Sequence, residues 1–385
     1  MIHRIISPSK NSSFFLFGAR GTGKSTFLHK QFKMKNPWFL DLLDPAVEDF
    51  YARAPKRIEQ ELKALKKKPD WIVIDEVQKV PRLLDMIHLL IERDNYRFIL
   101  TGSSARKLKR GGANLLAGRA FVNELFPLSI VELGNKFNLI EYLHWGGLPR
   151  IYSLNSSKDR IEYLSSYVIT YLNEEIRNEQ IVRKLDPFRS FLEIAGQVSG
   201  KIINHKKIAS EIGVDTKTIQ SYFQILEDTL LGFYLPAFHE SVRKSQKHNP
   251  KFYLFDTGIK KALEGSLEQK PVERTSVFGE LFEAAVILEI YRLNKYYKSN
   301  YKLSYFATKN NAEIDLVLSK NRSHTLIEIK SSDSIDETEV RSLNQLAVDF
   351  PNVQSVFYLS RHPKLLKIGK VTCMNWQKFL LSFKG

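Results

Sequence analysis

One cysteine, Cys373, stands among 385 residues. That excludes an intramolecular disulfide and any zinc site built on cysteine, and it fits a reducing cytoplasm. No uninterrupted apolar stretch approaches the ~20 residues that a membrane-spanning helix needs. The N-terminal segment also lacks the layout of a signal peptide, so the expectation is a cytoplasmic protein with no membrane partner. The histidines are scattered without metal-ligand spacing, and the four tryptophans form no base-stacking series. No repeat or low-complexity tract breaks the chain. Acidic residues are in deficit, 42 against 58 Lys and Arg, for a net charge of +16. Such a surplus favours a polyanionic partner, because each cation that meets a phosphate releases condensed counterions; lysine kept for solubility is the plainer alternative. With 43% hydrophobic and 26% charged residues, the chain has the composition of two or three globular domains rather than of a disordered one.

What is present begins with a nucleotide motif. Phe14-Phe15-Leu16-Phe17 is a wholly apolar run, expected of a strand buried on both faces, and it leads directly into Gly18-Ala19-Arg20-Gly21-Thr22-Gly23-Lys24-Ser25. This is GxxxxGK[ST] in its required context. The glycines let backbone N–H groups turn inward on phosphates, Lys24 reaches the β/γ oxygens, the Ser25 hydroxyl ligates Mg²⁺, and Thr26 opens a helix whose dipole favours the anion. A P-loop ATPase also needs a carboxylate at the end of a neighbouring buried strand. Trp71-Ile-Val-Ile-Asp75-Glu76 supplies Asp75 for the metal side and Glu76 as the base that polarises water. Residues 37–41, 97–101 and 120–123 read as further strands separated by helical stretches, which predicts a doubly wound parallel sheet. Thr101 and Ser103 fall at a strand end that faces ligand in such sheets, either as γ-phosphate sensors or as a turn that caps the next helix.

These residues resemble those of AAA-type P-loop ATPases of bacteria and archaea whose nucleotide domain is joined to a C-terminal domain of unknown function. The resemblance rests on the octet, on Ile74-Asp75-Glu76-Val-Gln-Lys-Val-Pro81, on Thr101 to Arg106 and Leu116 to Arg119, and on Trp145-Gly-Gly-Leu-Pro-Arg150. It runs over essentially the whole chain. It implies that Arg106 or Arg119 acts in trans on a neighbour's nucleotide, and hence a homo-oligomer; by residue type alone, either arginine is a surface charge.

Asn204 to Leu226 reads as two short amphipathic helices joined at Gly213, the form of a helix-turn-helix, with Asp215 as N-cap. Ile219, Tyr222, Phe223 and Leu226 recur at helical spacing and face inward. That leaves Thr216, Lys217, Gln220, Ser221 and Gln224 outside, residue types that reach base edges or phosphates from a major-groove helix. Residues 231–238 and 252–255 pair as a hairpin whose basic tip carries Arg243, Lys244 and Lys247, as in a winged helix. The alternative is a lid or protein-contact module.

In the last third, a helix at 278–291 is followed by strands at 302–307, 313–318 and 325–330, a helix at 337–350 and a strand at 353–359. Asp315 on one strand and Glu328-x-Lys330 on the next resemble the PD-(D/E)xK nucleases. The resemblance implies Asp315 and Glu328 as metal ligands, Lys330 as the water-positioning residue, and Glu283 (or Glu280) as the helix carboxylate, with Ile314 in place of the signature's proline. Ordinary alternation on a solvated strand face is the competing reading.

The sequence thus predicts an α/β chain in three parts: an AAA-type P-loop domain (1–155), a helical and winged-helix region (156–270) and a restriction-nuclease-like α/β domain (271–385). The expected cofactors are ATP/ADP and Mg²⁺, and the expected partners are nucleotide, DNA and further copies of the chain. The function expected is ATP hydrolysis coupled to DNA binding or processing. The alternative is a nucleotide-controlled switch that binds partners without cutting.

Overall fold

The computed structural model describes all residues except 1, 31, 33, 35, 105–115, 117, 173–184, 240–247, 309–312 and 384–385. The chain forms two compact units: residues 1–128 with 228–231, and residues 129–227 with 232–385.

The first unit is a five-stranded, all-parallel sheet in the order β2-β3-β4-β1-β5, from β1 (Phe14–Phe17), β2 (Pro37–Asp41), β3 (Trp71–Asp75), β4 (Phe98–Gly102) and β5 (Phe121–Glu124). The reason lies in the strands' unbroken apolar character: β1 and β4 are buried at every position, so each must be covered on both faces. Phe15 and Phe17 join a core with Ile58 and Leu62 from the helix Arg57–Ala64 and Met86 and Ile87 from the helix Leu83–Asp94. On the opposite face, the Phe14 ring meets Phe32 and Trp71 edge-on at 5.3 and 5.8 Å. The helix α1 (Lys24–Lys30) springs directly from the loop after β1. Residues 228–231 complete this unit: the Ser104 hydroxyl donates to the Asp228 carbonyl (3.1 Å), and Leu230 packs on the same core.

In the second unit, Asn204 and Gly213 bracket one helix (His205–Ile212) and a second spans Thr216–Asp228. Gly213 is left-handed (φ 77°), the conformation that closes the first helix and which glycine adopts without cost. Asp215 takes hydrogen bonds from the Thr218 N–H and hydroxyl at 2.8 and 2.7 Å. The antiparallel pair β6 (Gly232–Leu235) and β7 (Lys251–Leu254) follows, with Ile202 bridged to Lys251. A long helix (Ser276–Tyr296) then precedes a six-stranded mixed sheet in the order β12-β13-β11-β10-β9-β8. Its strands are β8 (Lys302–Ala307), β9 (Glu313–Lys320), β10 (Ser323–Ile329), β11 (Val353–Ser360), β12 (Leu366–Ile368) and β13 (Val371–Asn375), with a helix over Glu337–Asp349. β12, β13 and the closing helix Trp376–Ser382 were not expected from the sequence.

Residues 129–155, which the sequence reading assigned to the first part, bond within this second unit. The Arg292 guanidinium donates to the Tyr142 hydroxyl at 2.5 Å, and the Thr257 hydroxyl donates to the Tyr142 carbonyl at 2.9 Å. His144 Nε2 lies 2.6 Å from the Leu267 carbonyl, and the Gly147 N–H donates to Asp256 at 2.7 Å. Such contacts, more than a hundred residues apart in sequence, leave no local mark.

Candidate functional site

The loop after β1 is fixed from several sides. Gly21 and Gly23 are left-handed (φ 76° and 92°), and a Cβ on Gly18 would lie 2.4 Å from the Leu125 carbonyl oxygen. The Thr22 hydroxyl donates to the Ala19 carbonyl at 2.7 Å, and the buried Lys24 ammonium donates to the Gly18 carbonyl at 2.7 Å. Arg4, buried and unremarkable in sequence, donates to the Thr22 carbonyl at 2.7 Å and also to the Phe126 carbonyl. Arg20, Ser25 and Thr26 are exposed at the loop's mouth.

Because β4 lies between β1 and β3, its C-terminal end separates the loop from the acidic pair. Thr101 donates to Asp75 and approaches the Glu76 N–H at 3.4 Å. Burial raises the Asp75 carboxyl above the usual range and the Glu76 charge adds to that, while the Thr101 bond and the Lys24 charge oppose it. Lys24 and Asp75 therefore share one field. Glu76 sits in a left-handed backbone conformation (φ 55°), uncommon for a non-glycine residue. Its carboxylate accepts from the Gln78 amide and from the Ser103 N–H (3.4 Å), and the same Gln78 amide is 3.3 Å from the Ser103 hydroxyl. Gln78 is buried, and its Oε1 has no partner. Gln78 belongs to the run Ile74–Pro81 that carries the family resemblance, but no feature of the sequence assigns it this role. Arg119 pairs with Glu92 of its own unit. Arg106 lies outside the described residues.

The second unit holds two further groups of predicted residues. On the helix Thr216–Asp228, Lys217, Gln220, Ser221 and Gln224 are exposed and Thr216 is half-buried, while Ile219, Tyr222, Phe223 and Leu226 are buried. Arg243, Lys244 and Lys247 lie outside the described residues. In the six-stranded sheet, β9 and β10 pair up to Ile327 with Leu316, and one further step puts Glu328 opposite Asp315. Asp315 is buried and accepts the Ile329 N–H at 2.7 Å; burial, then Glu328 and Glu283, hold its carboxyl well above the ordinary range. Burial also raises Glu328, against the pull of Lys330, and its Oε2 is buried without a partner. Lys330 lies 2.9 Å from Glu328 and 3.6 Å from Glu339. Burial alone would lower its pKa, but Glu328 and the other nearby carboxylates more than offset this and hold it above the lysine range. Glu283 accepts from Tyr253 (3.1 Å) and Lys251 (3.4 Å), and Lys251 also pairs with Glu313 at 2.6 Å. Glu280 pairs with Lys201 at 3.5 Å. Among the described residues no three His, Cys, Asp or Glu side chains gather closely enough to hold a metal ion between them. Asp315 and Glu328 form a two-carboxylate set, which is what Mg²⁺ ordinarily takes from protein. Among the described residues no helix is long and apolar enough to cross a membrane.

Three stretches of the chain match known family models. Residues 10–134 match the family model described as an AAA domain. Residues 136–270 and 278–379 match two models described as domains of unknown function, DUF8612 and DUF4143. An uncharacterized protein of Mycobacterium tuberculosis is 26% identical over 87% of this chain and 73% of its own length. An uncharacterized protein of Methanocaldococcus jannaschii is 23% identical over 74% and 68%. Among solved structures, the Aeropyrum pernix ORC1 protein in complex with DNA aligns at a TM-score of 0.27 and 13% identity, covering 67% of this chain and 86% of that one. Protein VC1899 from Vibrio cholerae aligns at 0.22 and 10%, covering 96% and 95%. Residues 10–134, with a glycine-rich loop on a parallel five-stranded sheet, are therefore similar to AAA domains.

Proposed function

We propose that the protein is an ATP-binding, Mg²⁺-dependent ATPase whose cycle is coupled to DNA. The observation that carries this is the convergence of Lys24, Asp75, Glu76 and Thr101 at the C-terminal ends of three adjacent parallel strands, where such sheets bind ligands. The loop amides and Lys24 hold the phosphates. Ser25 and Asp75 offer the hard oxygen donors that Mg²⁺ prefers, and the bound ion would neutralise phosphate charge. Glu76 takes the proton from the attacking water, and Thr101 orients Asp75. DNA coupling rests on the exposed polar face of the second helix of the pair at 205–228 and on the hairpin beside it, a winged-helix arrangement. Oligomerisation through Arg106 or Arg119 belongs to the same reading. In the last sheet, Asp315 and Glu328 would hold Mg²⁺ and Lys330 would position water for phosphodiester cleavage.

The test is nucleotide binding and phosphate release by the full chain. Lys24→Ala loses binding, and Glu76→Gln keeps binding but stops turnover; normal hydrolysis by Glu76→Gln refutes the base assignment. One observation favours the switch as a second reading: Gln78 and Ser103 engage the Glu76 carboxylate, so the base is tied down. Slow turnover indifferent to DNA would select that reading.

A further inference from the structure

Between β9 and β10 the chain turns through two residues, Asn321 and Arg322, both left-handed (φ 52° and 65°). Glycine is the favoured occupant of the second of these positions, so an arginine there is strained. Beside the turn is a cleft of about 920 Å³ that contains Lys302, Lys320, Arg322, His239 and His324, and no Asp or Glu lines it. The cations come from separate segments brought together by register: Lys302 of β8 faces Ser319 of β9, and Ser319 faces His324 of β10. Lys302, Lys320 and Arg322 are exposed, and among the described residues none has an acidic partner. His324 is held in place, with Nδ1 2.8 Å from the Ser319 hydroxyl and its ring edge-on to Phe238 at 4.9 Å.

A second cavity, of about 490 Å³, shares Phe238 and His239 with the first and is walled by Phe306, Leu346 and Phe350. The Lys320 ammonium lies 5.2 Å from the Tyr301 ring. A groove whose two lysines and arginine have no carboxylate partner among the described residues, opening beside an aromatic cavity, is the pairing of features that single-stranded nucleic acid requires. The charges follow its backbone, and the rings accept any base face. A duplex keeps its bases stacked inside and would leave the aromatic cavity unused. Phe350 is buried in the sheet's core, with the partly buried Phe238 and Phe306 packed against it. We infer that the two cavities form a track for single-stranded nucleic acid, with phosphates on Lys302, Lys320 and Arg322 and an unstacked base in the second cavity, against the exposed parts of the Phe238 and Phe306 rings. This deepens the nucleic-acid part of the proposed function and is independent of the ATPase. Lys320 lies five residues along β9 from Asp315, roughly 17 Å at strand rise, so the track and the acidic pair are separable by mutation.

The test uses the full chain and fluorescence anisotropy with a labelled oligo(dT) of ~15 nucleotides, within the site sizes of such proteins, alongside a duplex of equal length and inorganic polyphosphate. The triple variant Lys302→Gln, Lys320→Gln, Arg322→Gly keeps the turn, since glycine is favoured there. It should weaken oligo(dT) binding at least tenfold and reduce the salt slope by about 2, at ~0.7 per single-strand phosphate contact. Phe306→Leu should weaken oligo(dT) but not polyphosphate. Oligo(U) binding as well as oligo(dT) supports the track, whose contacts are to phosphates and base faces. Wild-type affinity and slope in the triple variant overturn it, as does equal loss of oligo(dT), duplex and polyphosphate, which would make the cleft a generic charge patch. If the wild type binds duplex while the triple variant changes nothing, the track fails and the helix-pair reading stands. If the wild type binds no nucleic acid, both fail.

Discussion

Replacing Asp315 by Asn should make the protein more stable, and more so at higher pH. Asp315 is buried opposite Glu328, and both carboxyls are held above their ordinary range, first by burial. A group whose folded pKa exceeds its unfolded value favours the fold fully only below the unfolded pKa; that contribution is lost as pH rises toward the folded value. Asn is neutral throughout and still accepts the Ile329 N–H through its carbonyl oxygen. Two carboxylates at the cross-strand spacing of ~5 Å repel by about 3 kcal/mol at an effective dielectric of 20. The attractions of Asp315 to the Lys330 and Lys251 ammonium groups, which the variant loses, offset roughly half of that, leaving ~1.5 kcal/mol to be relieved. In a unit of about 250 residues this raises Tm by roughly 3–6 °C. Thermal melts of the full chain at pH 5 and pH 8 read it out, with the gain at pH 8 the larger. Added Mg²⁺ should raise the wild-type Tm and leave the variant unmoved, because only the wild type keeps both carboxylates. A variant that melts lower than wild type at pH 8, or gains equally at both pH values, refutes the reasoning.

Gly102→Ala places a Cβ 2.4 Å from Gln78 Oε1. The amide can swing aside, so the stability change stays within ~1 kcal/mol, but its hold on Glu76 and Ser103 is lost. Nucleotide affinity should persist while turnover changes, and Gln78→Ala should have the same effect with no further change in the double variant; a parallel loss of affinity would count against the network. Asp256→Ala strands the Gly147, Gly258 and Ile259 N–H groups, which it accepts at 2.7, 3.0 and 3.1 Å. At ~1–3 kcal/mol for each buried orphan, a loss of more than about 3 kcal/mol follows, measurable by urea unfolding.

The parts legible from sequence are those whose cause is local. The apolar run Phe14–Phe17 and the glycine octet announce a buried strand and its phosphate loop without reference to the rest of the chain. Asp215 and Gly213 likewise mark a cap and a stop. The order of strands is not local: nothing in residues 98–102 says that they lie between β1 and β3, and this insertion is what gives Thr101 and Ser103 their roles. Leu366–Ile368 is a three-residue edge strand, too short and too exposed to show a period of two. Gln78, Arg4 and Glu339 reach the sites through contacts up to 122 residues apart, and their residue types are common on any surface.

Residues 228–231 give the first unit a discontinuous chain. When residue 128 leaves the ribosome, the Ser104 hydroxyl and the core facing Leu230 still await partners a hundred positions downstream. The nucleotide unit therefore reaches its finished form only after the helix pair at 205–228 has been synthesised. Until then it must persist as an incomplete body, the kind of species that exposes apolar surface to chaperones. The order of synthesis makes the helix pair a prerequisite for the finished nucleotide unit.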